Sequence, residues 1–315
     1  MSHQAPGAPP RAGGVLVMAY GSPASPADVE AYYTHIRRGR APTPELLADL
    51  RRRYDAIGGS SPLAARTRAQ VDGLAAALGP GYTVRLGQKH AAPFIEDGLE
   101  ELVAAGATGV VGLVLAPHYS ALSVGLYHER ARAAAAAHGA SYHGIGAWHR
   151  RPVLVDLLAE RVTAAVSRLA LPASARVEVL FTAHSLPQRS LALDDPSYPD
   201  QLLETATAVA AAAGLGRWRT AWQSAGRTAD PWIGPDILEV LPALAAEGTE
   251  GVVVCPAGFV SDHLEVLFDI DIEARAVAEA AGLRLERTAS FNDDPRFVAL
   301  LADLVTGGVD GPPSP

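Results

Sequence analysis

A single cysteine, Cys255, stands in the whole 315-residue chain, and that scarcity removes several chemistries at once. One thiol cannot close an intrachain disulfide, build a thiolate zinc site or hold a cysteine-ligated iron–sulfur cluster. A reducing, cytoplasmic setting is therefore expected. Positive charge is the scarcer sign: 26 Lys plus Arg against 34 Asp plus Glu leave a formal net charge of −8, which argues against general affinity for nucleic acid or anionic lipid. Long apolar runs are missing too, because Gly, Pro, His or charge breaks every candidate; no spanning helix, and no integral membrane contact, is expected. Residues 1–13 are rich in Pro, Gly and Ala and lack the apolar core of a signal peptide or the basic pattern of a transit peptide. They read as a disordered tail. Neither a Walker-type loop nor a G-x-G-x-x-G fingerprint is found, so no nucleotide is implied.

What is present is ample apolar material, 49% of residues, in short β-branched runs that alternate with Ala- and Leu-rich amphipathic stretches. That alternation predicts an α/β fold of parallel strands flanked by helices. Strands are predicted at Val15–Ala19, Tyr82–Leu86 and Val110–Leu115 in the first half, and at Val177–Thr182, Arg219–Gln223 and Val252–Cys255 in the second. The symmetry suggests two similar lobes, 14–146 and 147–286, changing over near Trp148. Ser25, followed by Pro26 and Asp28, marks a helix start with Ser as cap. Pro152–Leu169 and the tract around Ala131–Ala137 read as helices, and residues 309–315 as a second tail.

In open α/β sheets ligands bind beyond the carboxyl ends of strands, and those positions carry unusual residues here: Tyr20 after the first predicted strand, His118 and Tyr119 after the third, His184 after the fourth. After the last comes Pro256-Ala-Gly-Phe-Val-Ser-Asp-His-Leu-Glu265, then Asp269 and Glu273 at steps of four. In a helix these three carboxylates would share a face, each step rising about 6 Å. A solvated acidic face explains such a column for an exposed helix; beside a strand-end loop, a cation that relieves the repulsion is the alternative. Imidazole with carboxylate suits a divalent transition metal held loosely enough to be passed on. Arg37, Arg38, Arg40, Arg51, Arg52 and Arg53 stand against only Glu45 and Asp49. Part of that stretch is a solvated helix face, but Arg37 and Arg38 fall at a helix end before a Pro-containing loop, where guanidinium forks, with Ser60, Ser61 and the Gly58-Gly59 backbone, can bind a tetra-anionic small molecule.

The ordered segments Val17-Met-Ala-Tyr20-Gly, Tyr32-Tyr-Thr-His-Ile-Arg37-Arg38-Gly-Arg, Ala56-Ile-Gly-Gly-Ser-Ser61-Pro-Leu, Ala116-Pro-His-Tyr, Ala183-His184-Ser-Leu-Pro, Tyr198-Pro-Asp-Gln-Leu, Trp222-Gln-Ser, Asp230-Pro-Trp-Ile-Gly-Pro and Gly258-Phe-Val-Ser-Asp-His-Leu-Glu265 resemble the ferrochelatases. The resemblance spans about Val15 to Val305. It implies two Rossmann-like lobes around a porphyrin cleft, with a C-terminal segment, 287–308, whose helix near Pro295–Val305 packs back on the first lobe. It further implies that His184 and Glu265 handle the metal and take protons, and that Tyr20 faces the other side of the macrocycle. Asp269 and Glu273 would form an outer site for a divalent cation on a helix with a π-type distortion, which would change the simple column. Arg37, Arg38, Ser61 and Tyr127 would hold the propionates or the ring. His90 and Trp232 match motif positions without an assigned role.

Under this resemblance ferrous iron is a substrate, and a porphyrin the other. Neutral imidazole at His184 would bind iron and accept protons, with Glu265 relaying them, provided that its pKa is not strongly depressed. The polar, Arg-rich stretch after Arg38, in place of apolar lips, favours coproporphyrin III over protoporphyrin IX. The rival readings are a sirohydrochlorin chelatase and a non-catalytic porphyrin or haem carrier; the pairing of His184 with Glu265 argues against the carrier. A monomer in transient contact with the enzymes before and after it in haem synthesis is expected.

Overall fold

The structure, a computed structural model, describes residues 13–226 and 228–307. Strands β1 (Gly13–Ala19), β2 (Tyr82–Gln88), β3 (Gly109–Val114) and β4 (Ser141–Ile145) form one parallel sheet, and β5 (Val177–His184), β6 (Trp218–Gln223), β7 (Gly251–Cys255) and β8 (Arg284–Arg287) a second. The orders, β2-β1-β3-β4 and β6-β5-β7-β8, are the same pattern twice. In both sheets the strand order reverses beside the first strand, so the crevices open beyond Ala19 and His184. β4 and β8 escape the sequence reading for one reason: each is a short edge strand with a mixed, partly exposed composition, SYHGI and RLER.

The helices are α1 (Val29–Ile36), α2 (Pro44–Ala56), α3 (Leu63–Leu78), α4 (Ile95–Ala104), α5 (Val124–Ala137), α6 (Pro152–Arg168), α7 (Tyr198–Ala213), α8 (Ile237–Ala246), α9 (Leu264–Leu267), α10 (Arg275–Ala280) and α11 (Pro295–Thr306). Ser25 does not cap a backbone N–H. Its hydroxyl donates to Asp28 at 2.7 Å across a single 3₁₀ turn, Pro26–Asp28, that leads into α1. The expected change of lobe, between residues 146 and 147, falls in the loop from β4 to α6. The expected tails lie outside the described residues except Gly13, which opens β1, and β8 runs one residue past the expected limit at 286.

One apolar cluster joins both halves, running from Val15 and Val17 through Leu154 and Leu157 to Phe181 and Val253, with Phe297 and Leu301 of α11 in it. α11 lies against α3 and α6. Phe297 stacks on Phe291 at 4.8 Å and meets Trp148 at 6.1 Å.

Part of the join is polar. The Gln201 side chain accepts from Tyr119 N–H at 2.8 Å and donates to Tyr119 C=O at 2.9 Å, and Gln70 Nε2 donates to Ser261 Oγ at 2.9 Å and to Asn292 C=O at 2.7 Å. His118 and His149 stack in this seam with centroids 5.2 Å apart. Thr205 Oγ1 spends its proton on Gln201 C=O (3.1 Å) and so accepts from His118 Nε2–H at 2.9 Å; His149 Nε2–H donates to Glu204 at 2.8 Å. Both Nδ1 atoms are then buried acceptors that meet no donor among the described residues.

Burial lowers the pKa of both rings, with the Glu204 hydrogen bond only partly opposing it at His149. A histidine pKa below its unfolded value of about 6.5 means that the unfolded chain binds more protons. The seam's contribution to stability is therefore complete above that pH and falls as the pH drops below it. Thermal melts between pH 7 and pH 5 should lose Tm more steeply for the wild type than for His118→Gln; equal slopes would remove His118 from this account.

Candidate active site

His184 is the last residue of β5, and its Nδ1–H donates to the Ser185 carbonyl at 2.5 Å. That bond leaves Nε2 to face Glu265 Oε1 at 3.5 Å. Glu265 comes from α9, whose start is delivered by the loop after β7, and its backbone carbonyl accepts from Gln223 Nε2 at 3.1 Å. A second imidazole, His263, stands on the other carboxylate oxygen at 3.6 Å, with its Nδ1–H donating to Ser261 C=O at 2.9 Å. Burial by itself would lower His184, but the charge of Glu265, their hydrogen bond and the Ser185 carbonyl raise its pKa to about 9. Burial would likewise raise Glu265, yet the two imidazoles hold it well below the usual carboxylate range. This reverses the expectation of an undepressed Glu265: without metal, the shared proton sits on His184.

The simple carboxylate column does not form. After α9 the backbone widens into a π turn, Asp269–Ala274, where Glu273 N–H reaches Phe268 C=O at 2.9 Å, five residues back. Asp269 accepts from Ser224 Oγ at 2.5 Å and faces Arg53 at 3.5 Å across the lobes. Burial, with the charge of Glu265 behind it, pushes Asp269 up to about 7, although Ser224 and Arg53 oppose the shift. Glu273 is half-buried, and its charge adds to that rise. Among the described residues no three His, Cys, Asp or Glu side chains converge as a ready-made metal site. The four candidate ligands are thus a close pair, His184 with Glu265, and a separate Asp269 and Glu273.

Tyr20 follows β1 and meets His90 at a tilt, with centroids 4.6 Å apart and planes inclined by 55°. Although 42% of its surface is open, enclosure and then the charge of Glu265 raise its phenol well above the ordinary value. Tyr127, on α5, is buried under the Lys89 ammonium, 5.0 Å above its ring. Glu265 also adds to the raised pKa of Tyr127 and, from the other lobe, Tyr198, in both cases after burial. Trp232 flanks His184 at 6.4 Å.

The arginines divide into two groups. Arg51, Arg52 and Arg53 are spent on Glu30 (3.4 Å), Asp49 (2.8 and 3.2 Å) and Asp269. Arg37, Arg38 and Arg40 make no ion pair among the described residues; Arg37 caps the end of α1 and lies 5.7 Å over Tyr33. Ser61 Oγ accepts from Leu63 N–H at 3.2 Å, leaving its proton to donate elsewhere. Cys255 is fully buried in β7, and burial pushes its thiol up to about 12, so it is a small core residue rather than a thiolate.

His263, Ser224, Gln223 and Lys89 had no role in the sequence reading. His263 lies inside a quoted motif two residues before Glu265, and Gln223 and Ser224 inside another. Motif membership is the available signal for these three, whereas Lys89 lies in no quoted segment; the contacts that give all four work bridge distant segments.

Comparison with known proteins adds the following. A family model described as Ferrochelatase matches residues 12–308. The chain is 44% identical to a ferrochelatase of Herpetosiphon aurantiacus over 93% of this chain and 98% of that one, and 43% identical to a coproporphyrin III ferrochelatase of Anoxybacillus flavithermus over 93% and 95%. Among solved structures, Bacillus subtilis SirB with Fe3+ shares the fold at a TM-score of 0.59 with 15% identity, covering 93% of this chain and 95% of that one.

Proposed function

Because this chain belongs to the ferrochelatase family, enzymes that insert ferrous iron into a porphyrin during haem synthesis, we propose a finer reading in which its porphyrin is coproporphyrin III. The observation that carries it is the set of guanidiniums at the end of α1, Arg37, Arg38 and Arg40, which make no ion pair among the described residues and stand where apolar lips would suit a greasier ring. Coproporphyrin III offers four carboxylates; protoporphyrin IX offers two and puts vinyl groups in the other places. Similarity to curated relatives named for coproporphyrin III supports the same choice. Among the described residues no helix is long and apolar enough to cross a membrane. A cytoplasmic monomer that meets its neighbours in the pathway only transiently belongs to the same proposal.

In this reading Tyr20 and His184 flank the macrocycle. The reaction exchanges one Fe2+ for the two inner N–H protons, so iron and protons cross the same space. Iron reaching His184 Nε2 must first displace the proton that Glu265 stabilises there, since only neutral imidazole is a ligand. Nδ1, tied to the Ser185 carbonyl, keeps the ring aimed while that happens. Asp269, raised to about 7, is the carboxyl best matched to accept a released proton at neutral pH. With Glu273 it would serve as the outer cation position, its present partners Ser224 and Arg53 giving way. Cys255 alone cannot hold a cluster.

The test is substrate choice. A buried donor left without its carboxylate costs about 1–3 kcal/mol, so kcat/KM for coproporphyrin III should exceed that for protoporphyrin IX by about tenfold or more in detergent-matched assays. Arg37→Ala should raise KM for coproporphyrin III the more, and added salt should act in the same sense. Equal specificity constants, unchanged by the substitution, would return the enzyme to protoporphyrin IX.

A further inference from the structure

Lys89 follows β2 at the cleft edge and has no carboxylate partner among the described residues. Its ammonium rests 5.0 Å over the Tyr127 ring. Its neighbours are cations: Arg130 donates Nη1 to the Lys89 carbonyl at 2.9 Å, and Arg38 is close enough for its charge to act on Lys89. Arg130 already has an acid, gripping Glu96 through two bonds of 2.9 and 2.6 Å. Arg38 does not. It holds a left-handed backbone, φ 56, which a residue with a side chain adopts at a cost, just past the end of α1.

Burial first, then Arg130 and Arg38, lower the Lys89 pKa to about 8. The empty arrangement is thus self-repelling, and an anion would relieve it. Beside it lie aromatic rings: Tyr127 below, and the tilted Tyr20–His90 pair, whose His90 meets His35 Nδ1 to Nδ1 at 3.0 Å. Burial and the nearby cations hold His90 neutral, down to about 3, so it does not neutralise a ligand's charge. A planar aromatic molecule with a carboxylate on its periphery matches both halves of this surface.

We propose that Lys89 adds a carboxylate contact for one propionate of the porphyrin, beside Arg38 and beyond the positions already read at Arg37, Arg38 and Ser61; this rests on the porphyrin reading given above. Lys89 is then a specificity residue. It holds the ring's edge and takes no part in metal chemistry, so its loss should appear in affinity rather than in turnover.

The experiment is equilibrium titration without metal, followed by porphyrin fluorescence, for the full chain and for Lys89→Met and Lys89→Arg, with coproporphyrin III and its tetramethyl ester. Lys89→Met should weaken coproporphyrin III about tenfold, leave the ester within about twofold and flatten the salt dependence, while Lys89→Arg stays within about threefold of wild type. An unchanged affinity in Lys89→Met, an equal loss for the ester, or a loss in Lys89→Arg as large as in Lys89→Met would overturn the proposal. If Lys89→Met does not fold, Lys89→Gln carries the same comparison. Wild type measured against protoporphyrin IX separates the two inferences: should it prefer that ring, the coproporphyrin reading fails and the Lys89 comparison proceeds with protoporphyrin IX and its dimethyl ester.

Discussion

Iron insertion drops by about a thousandfold when His184 is replaced with alanine, and by a similar factor for Glu265→Ala, while porphyrin affinity stays within about threefold of wild type. That outcome is expected because the two side chains face each other at 3.5 Å and share one proton, so each is needed to set the other's state. The double variant should be little worse than either single one, the mark of groups that act as a unit. Stability adds a second readout. The His184 pKa, raised to about 9 by Glu265, makes a stabilising contribution that is complete below about pH 6.5 and is lost as the pH rises through about 9. His184→Ala should lack that alkaline component. Insertion at near-normal rates in either single variant would withdraw that residue from the chemistry while leaving the family assignment intact.

The second large effect comes from a residue with no side chain. A Cβ on Gly258 would lie 2.6 Å from the Ala183 Cβ and 2.9 Å from its Cα, and Gly258 N–H already donates to Thr182 C=O at 3.0 Å. The loop after β7 therefore lies flat against β5 one residue before His184. Gly258→Val must push the strand end and the Glu265 loop apart. Overpacking of this kind costs about 3 kcal/mol, and a shift of about 1 Å in the pair should cost roughly a hundredfold in insertion rate. Thermal melts and single-turnover insertion measure the two losses. Gly216→Ala, where nothing lies within 4 Å of the added atom, is the control; if both variants behaved alike, close packing at Gly258 would not be what positions His184.

How much of this was legible in the sequence follows from what a linear pattern can record. The buried strands announced themselves: β1 is buried over its whole length and reads as an unbroken run. β4 and β8 sit at sheet edges, where half-exposed backbones tolerate His, Arg and Glu, and no apolar signal remains. Tyr20, His184 and Glu265 stood out because strand ends are where α/β sheets place ligands. Their electrostatics did not, since the depressed Glu265 depends first on His184 facing it from another strand end and then on His263 at its second oxygen. Arg53 was read as part of a carboxylate-binding stretch, and only the fold shows it crossing to Asp269. Ser224 and Lys89 belong to the same class, since each gains its meaning from a partner far away in sequence.

The repeated strand order places unlike chemistry at matching positions. Tyr20 and His184 occupy the same structural address in their respective lobes, one just past β1 and the other at the tip of β5. One scaffold, used twice, thus offers unlike ends: a phenol that enclosure keeps from ionising and an imidazole that already carries a proton and can trade it. A flat molecule lying between them would meet a proton-inert wall on one side and an exchangeable one on the other. Its two faces would then be chemically unequal before any metal arrived.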